Sequence, residues 1–168
     1  MPKKKEINAL DIITYYMSYI LENNCKPSSV YSFAKENKFE EAVFYNFFGS
    51  FEAVEKSIFK TFFDNTITVL EKSEDYETFD ARNKLLSFYY TFFENLTANR
   101  SYVVATLDSN KMDLKKLTVL SNLKTSFTNY IRETLLSCSN CRRGLYLNKN
   151  MLPVVICTYS LKQKLLDA

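Results

Sequence analysis

Residues 28–54, SSVYSFAKENKFEEAVFYNFFGSFEAV, restrict the possible folds of this chain more than any other stretch. Ser29 is placed to cap a helix whose inward face is Val30, Phe33 and Ala34, three and four residues apart. Asn37-Lys38 then makes a turn, and Asn is the residue of the pair that better tolerates a left-handed backbone. Phe39 returns to the interior. A second short helix over Glu40 to Asn46 turns Val43, Phe44 and Phe47 inward or across it. Gly49 stops that helix and Ser50 caps the next. Glu52 falls in the next helix's first turn, where the helix dipole favours a carboxylate. The pattern predicts a helix-turn-helix.

The flanking segments carry the same helical period. Residues 6–23 predict a first amphipathic helix striped by Ile7, Leu10, Ile13, Met17, Ile20 and Leu21, completing a three-helix head. Phe51 to Lys72 predicts a longer helix bearing Val54, Ile58, Phe62, Ile67 and Leu70. A polar loop over 73–80 closes on Asp80 as a cap, and residues 81–96 follow as a helix dense in aromatic rings. Helices are also expected around 100–107, from about Leu114 to Leu136, and from about Met151 to Leu166. Only two glycines and three prolines interrupt the chain, in keeping with helices on short connections. The expected fold is all-α, with a head at 1–50 and a helical body at 51–168.

The head resembles the DNA-binding segment of the tetracycline-repressor (TetR) family. That family's pattern, roughly T-V-x-x-I-A-x-x-A-G-V-S-x-G-T-L-Y-x-Y-F-x-S-K-E-x-L, lies over this sequence without a gap. Val30, Phe33, Ala34, Phe39, Phe44, Tyr45, Phe47, Phe48, Gly49, Ser50, Glu52 and Val54 fall on matching or conservatively changed positions. The run Tyr45-Asn46-Phe47-Phe48-Gly49-Ser50 is the most specific part, and the resemblance covers about residues 6–72. It implies a regulator that binds an operator as a homodimer and answers to a small hydrophobic ligand held in the body. Carried onto this chain, the implied DNA contacts are Ser29, Tyr31, Lys35, Lys38, Glu41, Ala42, Tyr45 and Asn46. The Lys3-Lys4-Lys5 run and the N-terminal amides of the Phe51 helix would add phosphate contacts. The plainer reading of the lysine run is a solvated tail.

Several positions depart from the pattern. Glu40, Glu41, Ala42 and Val43 replace the small and basic residues that open the recognition helix. Lys38 stands for the turn glycine, and Phe51 for the lysine that meets a phosphate. Residues 1–50 carry six basic and six acidic groups, so the head has no net charge with which to neutralise phosphates. Glutamate can still accept a hydrogen bond from cytosine. These departures point to a degenerate DNA-contact surface and keep a second reading open: a TetR-fold protein that does not bind DNA, and that holds a lipid or isoprenoid or docks a partner enzyme.

Composition narrows the chemistry further. The chain has no histidine, so a general base near neutral pH would need a perturbed Glu, Lys or Cys. Gly49 and Gly144 cannot build a phosphate loop, and no nucleophile motif is present. Cys138 and Cys141 have the spacing of half a zinc site, yet Cys25 and Cys157 stand apart and histidine is absent. A non-enzyme without metal or cofactor is expected. No apolar run reaches the length of a membrane span and no signal peptide is legible, which predicts a cytoplasmic protein. The 15% aromatic content is high. Phe88, Tyr89, Phe92, Phe93, Tyr102, Phe127 and Tyr130 are the candidate ligand-binding residues; the competing reading is that these rings pack the core. Beyond Leu136 there is room for one more long helix where the resembled family has two, which leaves the usual dimer in question.

Overall fold

The computed structural model describes residues 7–107 and 118–136. Among these, all regular structure is helical: seven α-helices and two short 3₁₀ turns, with no strand. The expected Lys3–Lys5 arm, Leu117, the Cys138/Cys141 pair and the last helix lie outside the described residues. The chain forms two compact units, Met1–Ile58 with Ser101–Val119, and Phe59–Arg100 with Leu120–Ala168.

In the first unit, α1 spans Ala9–Asn23. It starts on a reciprocal capping box, in which Asn8 Oδ1 accepts from the Asp11 amide at 2.9 Å and Asp11 Oδ2 accepts from the Asn8 amide at 3.1 Å. It ends on Asn24, whose left-handed backbone (φ 52°) lets its amide reach the Ile20 carbonyl. The buried face is Ile12, Ile13, Tyr16 and Ile20. The predicted stripe was therefore rotated: Leu10 and Leu21 are exposed, and Tyr16 takes the interior because its hydroxyl finds a buried partner.

Helix α2, Val30–Glu36, is capped by Ser29, whose hydroxyl accepts from the Ser32 amide at 3.1 Å. Helix α3 spans Glu41–Phe47. Between them the left-handed residue is Lys38 (φ 60°), and Asn37 keeps φ −89°. Asn37 is retained in the helix geometry because its side-chain amide donates to the Phe33 carbonyl, so the positive φ passes to its neighbour. Phe33 is the hub of the head, with the rings of Tyr16, Tyr19, Phe39, Phe44 and Phe51 at 5.7–6.3 Å, mostly edge to face. Phe48 is buried and Phe47 is exposed, the reverse of the expected inward turn for Phe47. The cap residue Phe48 is extended (φ −136°), which swings its ring back onto Phe44 at 6.1 Å.

Helix α4 spans Phe51–Glu71. Its N-terminus is capped by Ser50, whose carbonyl accepts from the Ala53 and Val54 amides. Val54, Glu55 and Ile58 are buried in the first unit; α6, Arg100–Leu107, contributes buried Tyr102 and Val103 to it.

The second unit holds the remainder of α4, a 3₁₀ turn at Tyr76–Thr78, α5 (Ala81–Ala98) and α7 (Ser121–Leu136). Asp80 caps α5 as expected, accepting from the Asn83 amide at 2.7 Å. The predicted circling of α5 by aromatic rings is graded: Phe88 and Phe92 are buried, Tyr89 and Phe93 half-buried, and Tyr90 is 68% exposed. Leu120, Leu123 and Phe127 form the buried face of the α7 segment. Asn95 joins α5 to α4 by donating to the Phe62 carbonyl at 3.0 Å.

Candidate functional sites in the head and the body

The outward side of the helix-turn-helix is built from exposed residues on two short helices. Tyr31 and Lys35 on α2, Lys38 in the turn, and Ala42, Tyr45 and Asn46 on α3 are all exposed. Ser29 is exposed but engaged in capping α2, and its hydroxyl donates to Ser32 Oγ at 3.1 Å. Glu41 is half-buried and accepts a long hydrogen bond from the Tyr45 hydroxyl at 3.4 Å. The phenol is thus aimed at a carboxylate one turn away.

Two further features bear on phosphate contact. Phe51, at the position where the family pattern has lysine, stacks on Tyr16 at 5.5 Å and meets Phe44 edge-on at 5.4 Å. It belongs to the aromatic interior of the head. Glu52 curls back to accept from its own backbone amide and from the Ser50 side chain, and these bonds hold its carboxyl below the usual range. The anion-binding end of α4 is already occupied by an internal carboxylate.

Sequence reasoning missed the buried centre of the head. Glu55 is 4% exposed, accepts from the Tyr16 hydroxyl at 2.8 Å, and receives Lys26 Nζ on both oxygens at 2.8 and 2.9 Å. This ties α1, the α1–α2 connection and α4 at one carboxylate. Burial and the bond to Glu55 raise the Tyr16 phenol far above its ordinary value. The signal was legible: Glu55 sits on the α4 stripe, one turn from Phe51 and from Phe59.

In the body, six of the seven candidate ligand residues come together. Phe88 is the centre, stacked on Phe92 at 5.5 Å and touching Phe127 at 5.4 Å and Tyr130 at 4.9 Å. Phe63, not singled out from sequence, adds a ring at 5.3 Å. Tyr89 meets Phe127 edge-on at 5.9 Å and lies nearly parallel to Phe93 at 6.5 Å. Tyr102 belongs to the first unit, where burial raises its phenol and a hydrogen bond to Thr106 opposes the shift. The Tyr130 hydroxyl pairs with that of Tyr76 at 2.5 Å and reaches the Lys84 carbonyl at 3.3 Å. Lys84 Nζ lies 5.7 Å from the Tyr76 ring centroid, a cation–π contact.

Residues 84–142, which hold this cluster apart from Phe63 and Tyr76, match the family model described as the tetracyclin repressor-like C-terminal domain. That stretch is similar to the body domain of tetracycline-repressor-like proteins. No curated protein and no solved structure matches it. The match falls on the body, whereas the motif legible in sequence lies in the head, so two separate stretches of the chain point the same way. Among the described residues, no helix is long and apolar enough to cross a membrane, and no group of His, Cys, Asp and Glu is placed to hold a metal ion.

Proposed function

We propose that this protein is a transcriptional regulator that binds operator DNA as a homodimer and answers to a small hydrophobic ligand in its helical body. The observation that carries the reading is the helix-turn-helix itself. Lys38 holds the left-handed turn without a glycine, and Ala42, Tyr45 and Asn46 stay exposed beyond an aromatic interior. Tyr31, Lys35, Lys38 and Tyr45 would meet phosphates, with Ser29 adding its outward edge. Glu41, Ala42 and Asn46 would stand nearest the base edges. Two heads of a dimer would read half-sites about one helical turn apart, ~34–36 Å.

Binding should be weak for a repressor, because Phe51 removes a phosphate contact and Glu40 and Glu41 repel the backbone. The test is fluorescence anisotropy on random-sequence duplex at low salt, wild type beside the Glu40→Ser/Glu41→Lys double variant. The variant removes two carboxylates per head and adds one cation, so it should bind more tightly. Equal affinities would show that α3 does not face DNA.

A second reading is favoured by the inward Phe51 and by the Glu41–Tyr45 bond: a TetR-fold protein without DNA binding, whose body holds a lipid or isoprenoid or docks a partner enzyme. It predicts that neither protein binds duplex.

A further inference from the structure

The hydroxyl of Tyr89 is buried and has no hydrogen-bond partner among the described residues. Its ring is half-buried, beside Phe127, Phe88 and the parallel ring of Phe93. The other cluster phenols are engaged: Tyr76 with Tyr130, and Tyr130 also with the Lys84 carbonyl. A buried hydroxyl without a partner is destabilising, and native proteins rarely leave one so. Phenylalanine at this position would keep the ring contacts without that cost. Desolvation raises the Tyr89 phenol, so near neutral pH it is a neutral O–H with a proton to give and no acceptor for it among the described residues.

The surroundings define the missing group. The rings in contact with the Tyr89 ring, Phe88, Phe93 and Phe127, are hydrocarbon and would strand a charged or many-hydroxyl ligand. Aromatic rings are well matched by a flat ring system set edge-on or offset against them. We infer that Tyr89 is the polar contact of a ligand site beside Phe93 and Phe127, and that its ligand is a planar, largely apolar molecule bearing a carbonyl-type oxygen that accepts the Tyr89 hydroxyl. This rests on the ligand-binding body proposed above and specifies the chemistry of what it binds.

The test uses the full chain and two probes of nearly equal shape: 2-acetylnaphthalene, which carries the acceptor, and 2-ethylnaphthalene, which does not. Affinities of both are measured by calorimetry for the wild type and for Tyr89→Phe. The wild type should bind the ketone roughly 3–10-fold more tightly than the hydrocarbon, the worth of one neutral hydrogen bond. Tyr89→Phe should bind the two alike. Without ligand, Tyr89→Phe should melt at or above the wild-type temperature, because it removes an unpaired group.

A wild type that binds both probes equally, or a variant that keeps the preference for the ketone, overturns the inference and leaves the ligand-binding body standing. A clear loss of thermal stability in unliganded Tyr89→Phe shows a partner within the protein and overturns it as well. Failure of both probes to bind either protein overturns the ligand-binding body itself, and this inference with it.

Discussion

Truncating Phe92 to alanine tests whether the body's rings are packed core or the wall of an existing cavity. Phe92 is 1% exposed and lies almost parallel to Phe88, with ring centroids 5.5 Å apart and an interplanar angle of 15°. Phe88 in turn touches Phe63, Phe127 and Tyr130, so the Phe92 ring backs a set of direct ring contacts. Removing it leaves a void that these neighbours can close only by giving up contacts with one another. A buried Phe→Ala change costs ~3–5 kcal/mol, against a total stability of ~5–15 kcal/mol. At ~2–4 °C per kcal/mol for a chain of this length, the melting temperature should fall by about 6–20 °C. Urea unfolding followed by far-UV circular dichroism measures the free energy, and a thermal scan measures the shift. A loss below ~1 kcal/mol would refute the reasoning, because it would mean that the ring borders space that already exists.

Three further outcomes follow from the same contacts. Lys26→Met strips the cation from the buried carboxylate of Glu55 and should cost ~1–3 kcal/mol, less than a fully buried pair because Lys26 reaches solvent. A double-mutant cycle with Glu55→Gln should return a coupling of ~0.5–3 kcal/mol, and additive losses would show no interaction. The phenols of Tyr16, Tyr76, Tyr89, Tyr102 and Tyr130 are all raised, chiefly by burial. Their folded values lie above the unfolded one near 10, so their contribution is complete below about pH 10 and is lost as pH rises beyond it. Absorbance at 295 nm should therefore show these tyrosines ionising together with alkaline unfolding, and their titration in the still-folded protein would contradict the burial.

Helices α2 and α3 and the turn between them were legible because local rules and tertiary packing agree there. Ser29, Phe33, Ala34, Phe39 and Phe44 each do what spacing and capping demand. Legibility failed where a polar atom is satisfied far along the chain. The predicted stripe took in Leu10 and passed over Tyr16, because the partner that draws Tyr16 inward is Glu55, 39 residues away. Phe51 is a similar case. The pattern marked it as a lost phosphate contact, but its place against Tyr16, Phe33 and Phe44 depends on how three helices meet. In the body, the density of rings was plain and their division was not. Phe88 and Phe92 are interior while Tyr89 and Phe93 are half-buried, and Phe88 and Tyr89 both meet Phe127 of α7. The Tyr76–Tyr130 pair joins residues 54 apart and left no local mark.

The measurement closest to the central claim is the salt dependence of DNA binding. Lys35 and Lys38 are the exposed cations on α2 and the turn after it, so in the proposed dimer two heads would offer four phosphate-neutralising groups. At about −0.9 per contact, log K against log salt concentration should fall with a slope of about −3.6, shallower than the 6–10 contacts of a typical repressor would give. Saturable binding to duplex with that slope, lost in Lys35→Ala/Lys38→Ala, is the result expected of a regulator with a reduced contact surface. No detectable binding even at low salt would contradict it and leave the head as a helix-turn-helix that does not bind DNA.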